Sequence, residues 1–297
     1  MKGNRVDMTS ESAGSLHTVL CGGATGLYRM AYRSWGDSSN PRVLMCVHGL
    51  TRNSLDFCHV AHALSSDYRV IAPDVVGRGE SDYHPEPMAY NNLTYAADMV
   101  TLIARLNVET VDWLGTSMGG LIGMLLAGQP RSPIRRLILN DVGTTLSIEA
   151  LERIAGYVGH PYEFADLETA QRYARVIFAP FALSTEADWQ ALFASTFKPL
   201  PTGGVRFNYD RLIGQPLKQA LLGGAVDLWP IYDRIRCRTL LVRGGNSDLL
   251  SVETAHAMTD RGPRATLATI DGVGHAPMFM SDDQVAIVRR FLESPDA

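Results

Sequence analysis

Ser117 stands in Gly115-Thr116-Ser117-Met118-Gly119, a G-x-S-x-G pentapeptide between the run 110–114 and an apolar segment, 121–127. A serine hydroxyl is a poor nucleophile until a base takes its proton. The surrounding pattern suits that chemistry, because strand, sharp turn and helix in succession lift a central hydroxyl above a sheet edge. Such a turn strains its central residue, and Gly115 and Gly119, two positions away on either side, supply the room. The Met118 amide then lies at a helix N-terminus, where negative charge is favoured. The pentapeptide alone is a common pattern, so its reading depends on partners elsewhere in the chain.

The base is expected at His275, because imidazole titrates in the range a general base needs. Of the eight histidines, this one lies in a glycine-rich loop, Asp271-Gly272-Val273-Gly274-His275, directly after the last strand-like run. The imidazole requires a carboxylate behind it to fix its tautomer and stabilise the imidazolium. Two aspartates compete for that place. Asp248 is preferred because its strand directly precedes the strand–helix unit carrying His275; Asp141, at the end of the run 134–140, is the alternative acid. Asp74 and Asp271 are read as loop organisers. An acyl-transfer intermediate also needs two amide donors for its oxyanion. Met118 offers one, and Leu50, after His48-Gly49, offers the other. His48 is read as structural.

These residues need elements that bring them to one edge. Runs at 16–21 and 27–35, separated by Gly22, Gly23 and Gly26, predict an antiparallel hairpin at a sheet edge. The nearly continuous apolar run 42–47 predicts a strand buried on both faces. Strands and helices then alternate to Asp141, and residues 94–107 give the cleanest helix, with Tyr95, Met99, Leu102, Ile103 and Leu106 on one face. From 144 to about 232 no strong buried strand occurs; helical patterns at 147–158, 167–178 and 186–197 precede a Pro/Gly-rich passage. Alternation resumes at 239–243 and ends with a helix opened by Ser281-Asp282-Asp283-Gln284, read as a capping box. The rhythm predicts a mainly parallel, doubly wound sheet with the loops at 48–49, 117, 141, 248 and 275 gathered at its carboxyl edge.

Composition excludes several function classes. Apolar residues make up 46% of 297 and charged residues 20%, with a net charge of −4 and no basic run. Neither nucleic acid nor an anionic membrane is an expected partner. Residues 1–15 read as a loose tail, and no apolar run has the length of a signal or membrane segment. Cys21, Cys46, Cys58 and Cys237 are scattered without metal-type spacing, so free thiols and a cytoplasmic setting are expected. His59-x-x-His62 has no third ligand beside it, and the glycines at 22, 23 and 26 do not open a βαβ unit; neither metal nor dinucleotide cofactor is expected.

The chain resembles the α/β-hydrolase fold enzymes over nearly its whole length. The resemblance rests on His48-Gly49, the loop Asp74…Gly77-Arg78-Gly79…Ser81, the Gly115–Gly119 elbow, Ser247-Asp248 and Gly274-His275. It implies an eight-stranded, mostly parallel sheet, a core of 1–143 and 233–297, and a helical cap of 144–232. It also implies a serine hydrolase that cleaves carboxylic esters through an acyl-enzyme. Alternatives are a lactonase or C–C bond (β-diketone) hydrolase with the same triad, and a non-catalytic ligand-binding member. Ser117 argues against the epoxide hydrolase and haloalkane dehalogenase branches, whose nucleophile is aspartate. Leu50 and Thr51 replace the extra glycines of an HGGG motif, which favours the esterase and small-acyl branch and disfavours tertiary-alcohol esters; small or medium apolar acyl groups are the expected substrates. Six of nine phenylalanines fall in the cap region; most are expected in the cap's own core and a few on the pocket. No Arg or Lys there is singled out as a carboxylate clamp, and Arg153, Arg172 and Arg206 stay open for that role. The expected partner is a small-molecule ester, and the expected state a monomer or homodimer.

Overall fold

The computed structural model describes residues 13–23, 26–223 and 227–295. Most of the expected tail lies outside the described residues. The hairpin forms as β1 (Ser15–Gly23) and β2 (Gly26–Trp35). There follow β3 (Val43–Val47), α1 (Cys58–Leu64), β4 (Arg69–Pro73), α2 (Asn92–Leu106), β5 (Val111–Thr116), α3 (Met118–Ala127) and β6 (Ile134–Asn140). The order along the sheet reaches β10 (Arg238–Gly244) and β11 (Thr266–Ile270), flanked by α9 (Val252–Asp260) and α10 (Asp282–Glu293).

The eight strands lie in the order β1-β2-β4-β3-β5-β6-β10-β11. β1–β2 and β2–β4 pair antiparallel, and the rest parallel. All five residues of β3 are buried, as a strand covered on both faces must be. One hydrophobic core lies between the sheet and α2, α3 and α9; a second lies under α1 and α10. The predicted face of α2 is buried throughout. The Asn91 side chain caps this helix by accepting from the Leu93 and Thr94 amides, and Asn107 ends it in the left-handed region at φ 57°. At α10 the expected capping box does not form. Ser281 makes no side-chain cap, and Gln284 Oε1 instead accepts from the Phe279 amide at 2.8 Å.

Between β6 and β10 the chain builds α4 (Ile148–Ala155), β7 (Glu163–Phe164), α5 (Leu167–Ile177), α6 (Glu186–Thr196), β8 (Phe197–Pro199), β9 (Val205–Phe207), α7 (Gly214–Leu222) and α8 (Trp229–Tyr232). The three predicted helices are present. The region also holds a small antiparallel sheet, β7-β9-β8. Its strands are two or three residues long, too short to leave a periodic signal in the sequence. Polar contacts seat this segment on the sheet's carboxyl edge: Arg52 donates to Thr196 Oγ1 at 2.7 Å, and Asn53 to the Ser195 carbonyl at 2.8 Å. Lys198 donates to the Gly79 carbonyl at 2.6 Å.

Candidate active site

Ser117 sits between β5 and α3 at φ 51°, ψ −113°, a conformation that a residue with a side chain adopts only under constraint. The constraint is steric and specific. A Cβ on Gly115 would run into the Gly119 carbonyl, and one on Gly119 into the Val47 carbonyl of the adjacent β3. The buried Trp113 indole donates to the Gly119 carbonyl at 3.0 Å and holds the far side of the turn. Met118 is the first residue of α3, so its amide has no acceptor one turn back.

The loop after β3 presents the second amide. Gly49 backs onto Ser117, where an added Cβ would lie 3.8 Å from the Ser117 Cβ. His48 is buried, and its Nε2 accepts from the Val75 amide at 2.9 Å. Its Nδ1 is therefore the protonated nitrogen and donates to the Gly49 carbonyl at 2.7 Å. That carbonyl belongs to the same trans peptide as the Leu50 amide, so fixing one directs the other the opposite way. Burial lowers the His48 pKa to about 3, keeping the ring neutral as this bond pattern requires. The fully buried Arg78 donates to the Leu50 carbonyl at 2.9 Å and to Tyr95 Oη at 2.9 Å. Asp74 fixes the neighbouring loop by accepting from the Ser54 and Glu80 amides at 2.7 and 2.9 Å. His48 and Asp74 thus organise loops, as the sequence suggested.

His275 Nε2 lies 3.0 Å from Ser117 Oγ, and its Nδ1 lies 2.8 Å from Asp141 Oδ2. The expected pairing with Asp248 is corrected here: the carboxylate behind the imidazole is Asp141. Asp141 is fully buried at the end of β6 and holds φ 55°, which aspartate tolerates better than most residues. Its Oδ1 accepts from the Gly244 amide at 2.8 Å, and its Oδ2 from Ser247 Oγ at 2.7 Å. Ser247, not its neighbour Asp248, is the part of that loop that reaches the site. Asp248 turns toward the inserted segment, where Arg153 of α4 grips it through Nε at 2.6 Å and Nη2 at 3.0 Å. Burial pushes the Asp248 carboxyl up, but Arg153 and the more distant His275 outweigh it, and its pKa falls below the ordinary value. Asn140, buried beside Asp141, ties Thr116 Oγ1 at 3.0 Å to the Pro277 carbonyl at 2.8 Å, bracing the strand before Ser117 against the loop after His275. The sequence reading missed Asn140 and Ser247.

Ser117 stands where two cavities meet. A smaller one of about 60 Å³ has a mixed lining, with His275, Thr51, Arg52, Asp56, Arg153 and Tyr157 set among apolar side chains such as Phe57, Phe178, Phe181 and Met278. A larger one of about 410 Å³ is lined chiefly by apolar side chains, among them Met118, Leu121, Leu146, Leu151, Leu217 and Leu249. Leu50, Ser117 and Ile154 border both. Phe178 and Phe181 are thus the cap-region phenylalanines that face the site. Phe164, Phe193, Phe197 and Phe207 join an aromatic cluster with Tyr162 and Tyr173 inside the insertion. Among the described residues, no group of three or more His, Cys, Asp or Glu has the arrangement of a metal site. All four cysteines are free. No described helix is long and apolar enough to cross a membrane.

A nucleophile elbow, an imidazole behind it and a carboxylate behind that, all on the carboxyl edge of a parallel sheet, define one class of protein. The family model of the alpha/beta hydrolase fold matches residues 42–281, and the chain belongs to that family. Within it the chain is an ester hydrolase. It is 47% identical over 280 residues to a 3-hydroxybutyrate-oligomer hydrolase of Cupriavidus necator, covering 92% of this chain and 96% of that protein. Among solved structures, a protein of Rickettsia typhi superposes with a TM-score of 0.88 at 31% identity, over 95% of this chain and 100% of that one. An alpha/beta hydrolase of Novosphingobium aromaticivorans superposes with a TM-score of 0.83 at 36% identity, over 94% and 99%.

Proposed function

We propose that the protein hydrolyses esters of small or medium apolar acyl groups, with short oligomers of a 3-hydroxy acid as its substrate class. What carries this reading is the hydrogen-bonded line Ser117–His275–Asp141 at the junction of a large apolar cavity and a smaller one of mixed lining. The similarity to the oligomer hydrolase supports the substrate class. Ser117 Oγ attacks the ester carbonyl while His275 Nε2 takes its proton, and Asp141 holds the imidazole in the tautomer that accepts it. The tetrahedral oxyanion is met by the Leu50 and Met118 amides. His275 then gives the proton to the departing alkoxide, leaving an acyl-enzyme that water cleaves by the same steps in reverse. His275 borders only the smaller cavity. The leaving alcohol therefore lies on that side, and the acyl chain in the large apolar cavity.

The test is turnover of the dimer and trimer of (R)-3-hydroxybutyrate alongside p-nitrophenyl butyrate. The wild-type enzyme should cleave all three, and a fluorophosphonate should label Ser117. Ser117→Ala should lower kcat by about 10³ or more. Retention of turnover within tenfold in Ser117→Ala would remove the mechanism. Oligomers left intact beside rapid cleavage of the aryl ester would remove the substrate class alone.

A further inference from the structure

We infer that the smaller cavity is a subsite for the carboxylate of a hydroxy-acid leaving group, and that Arg153 and Tyr157 of the inserted segment read that carboxylate. The inference rests on the proposed esterase reading, which sets the leaving group on the His275 side. In a hydroxy-acid ester of this kind the free carboxylate lies only three bonds from the scissile oxygen, so a group binding it must border the same small cavity as His275. Two guanidiniums border it, and they differ in how much of each is free.

Arg52 is 4% exposed and fully committed: Asp56 accepts from its Nε and Nη2, Thr196 from Nη1, and Ser195 also from Nη2. Arg153 gives only one edge, Nε and Nη2, to Asp248, leaving its Nη1 without a partner among the described residues. A guanidinium offers five N–H donors, so the end-on edge of Nη1 and Nη2 remains for a second, planar carboxylate. Two residues past the end of α4, Tyr157 lines the same cavity, and its hydroxyl bonds to no described residue. Burial pushes its phenol up to about 12, Asp248 adding to the rise and Arg153 working against it, so it is present as an O–H donor. A charged fork and a neutral donor four residues apart, on residues that both line the cavity bordered by His275, match an anion with two oxygens. Asp248 holds Arg153 in place but adds a negative charge nearby, so it sets an upper limit on how tightly a carboxylate binds.

The experiment compares two substrates that differ only in that charge: the (R)-3-hydroxybutyrate dimer and the same dimer with its carboxyl end methylated. Wild-type enzyme should show a lower KM for the free acid. Arg153→Gln should raise the free-acid KM about tenfold or more, with the methyl ester within twofold. Arg153→Lys should restore part of the loss, and Tyr157→Phe should raise the free-acid KM severalfold and the methyl-ester KM by less, since the ester carbonyl is the weaker acceptor. Asp248→Asn should lower the free-acid KM. Equal effects of Arg153→Gln on both dimers would show Arg153 to be only a structural tie and overturn the inference, as would wild-type indifference to methylation. Cleavage of neither dimer would instead overturn the underlying esterase reading.

Discussion

In the proposed mechanism the aspartate behind His275 acts by holding one imidazole tautomer, so a shape-preserving amide there should fail. Asp141→Asn is expected to lower kcat on p-nitrophenyl butyrate by about 10³–10⁴, whereas Asp248→Asn should change it by less than about threefold. Stopped-flow or steady-state rates on the purified variants decide this; the reverse order would return the acid's role to Asp248. Asp248 looked the better candidate in the sequence because chain adjacency is visible there and sheet adjacency is not. β10 precedes β11 along the chain, but β6 lies directly beside β5, which carries Ser117. One signal was available. Asp141 follows its strand immediately, whereas Asp248 stands four residues past the end of β10, far enough for the loop to turn away. The positions of Ser117 and His275 were legible because local pattern alone defines a G-x-S-x-G turn and a glycine-rich loop ending in histidine. Asn140 and Ser247 were not, since both act across strands that only the fold brings together.

At the scale of elements, the elbow is a close crossing of β3, β5 and α3. Gly119→Ala would force a methyl group against the Val47 carbonyl, where backbone and not a flexible side chain must yield. A loss of about 3 kcal/mol in urea unfolding is expected, with activity falling in the folded fraction; an unchanged midpoint would show that α3 shifts freely. α7 forms part of the apolar cavity wall through Leu217. Leu217→Trp should therefore shorten the accepted acyl chain, read as kcat/KM across p-nitrophenyl acetate to decanoate: the long esters should lose about tenfold or more while acetate holds. Equal losses along the series would place the acyl chain elsewhere. The long alternating core was readable because its strands and helices exceed one period of their patterns. The insertion was readable only in its helices, because two- and three-residue strands and a helix within a Pro/Gly-rich passage carry no periodicity to detect.

For the molecule as a whole, one buried carboxyl outside the site ties stability to pH. Asp98 of α2 is buried and accepts from the Tyr28 hydroxyl at 2.7 Å. Burial raises its pKa from 3.8 to about 6, against the smaller lowering effects of Tyr28 and Cys21. A folded value above the unfolded one means that this group's stabilisation is complete below about pH 4 and is lost as pH rises through 6. Asp98→Asn should thus gain on wild type by up to about 3 kcal/mol between pH 4 and 7 in urea unfolding; a difference independent of pH would count against it. A last consequence concerns Ile154 of α4, which borders both cavities while its neighbours divide between them, Arg153 and, just past the helix, Tyr157 to one and Leu151 to the other. A change at this partition moves acyl and alcohol preferences together. Substitutions on the two sides of the enzyme should then combine independently with each other but not with one at 154, so this single position sets how freely the two halves of its substrate range can diverge.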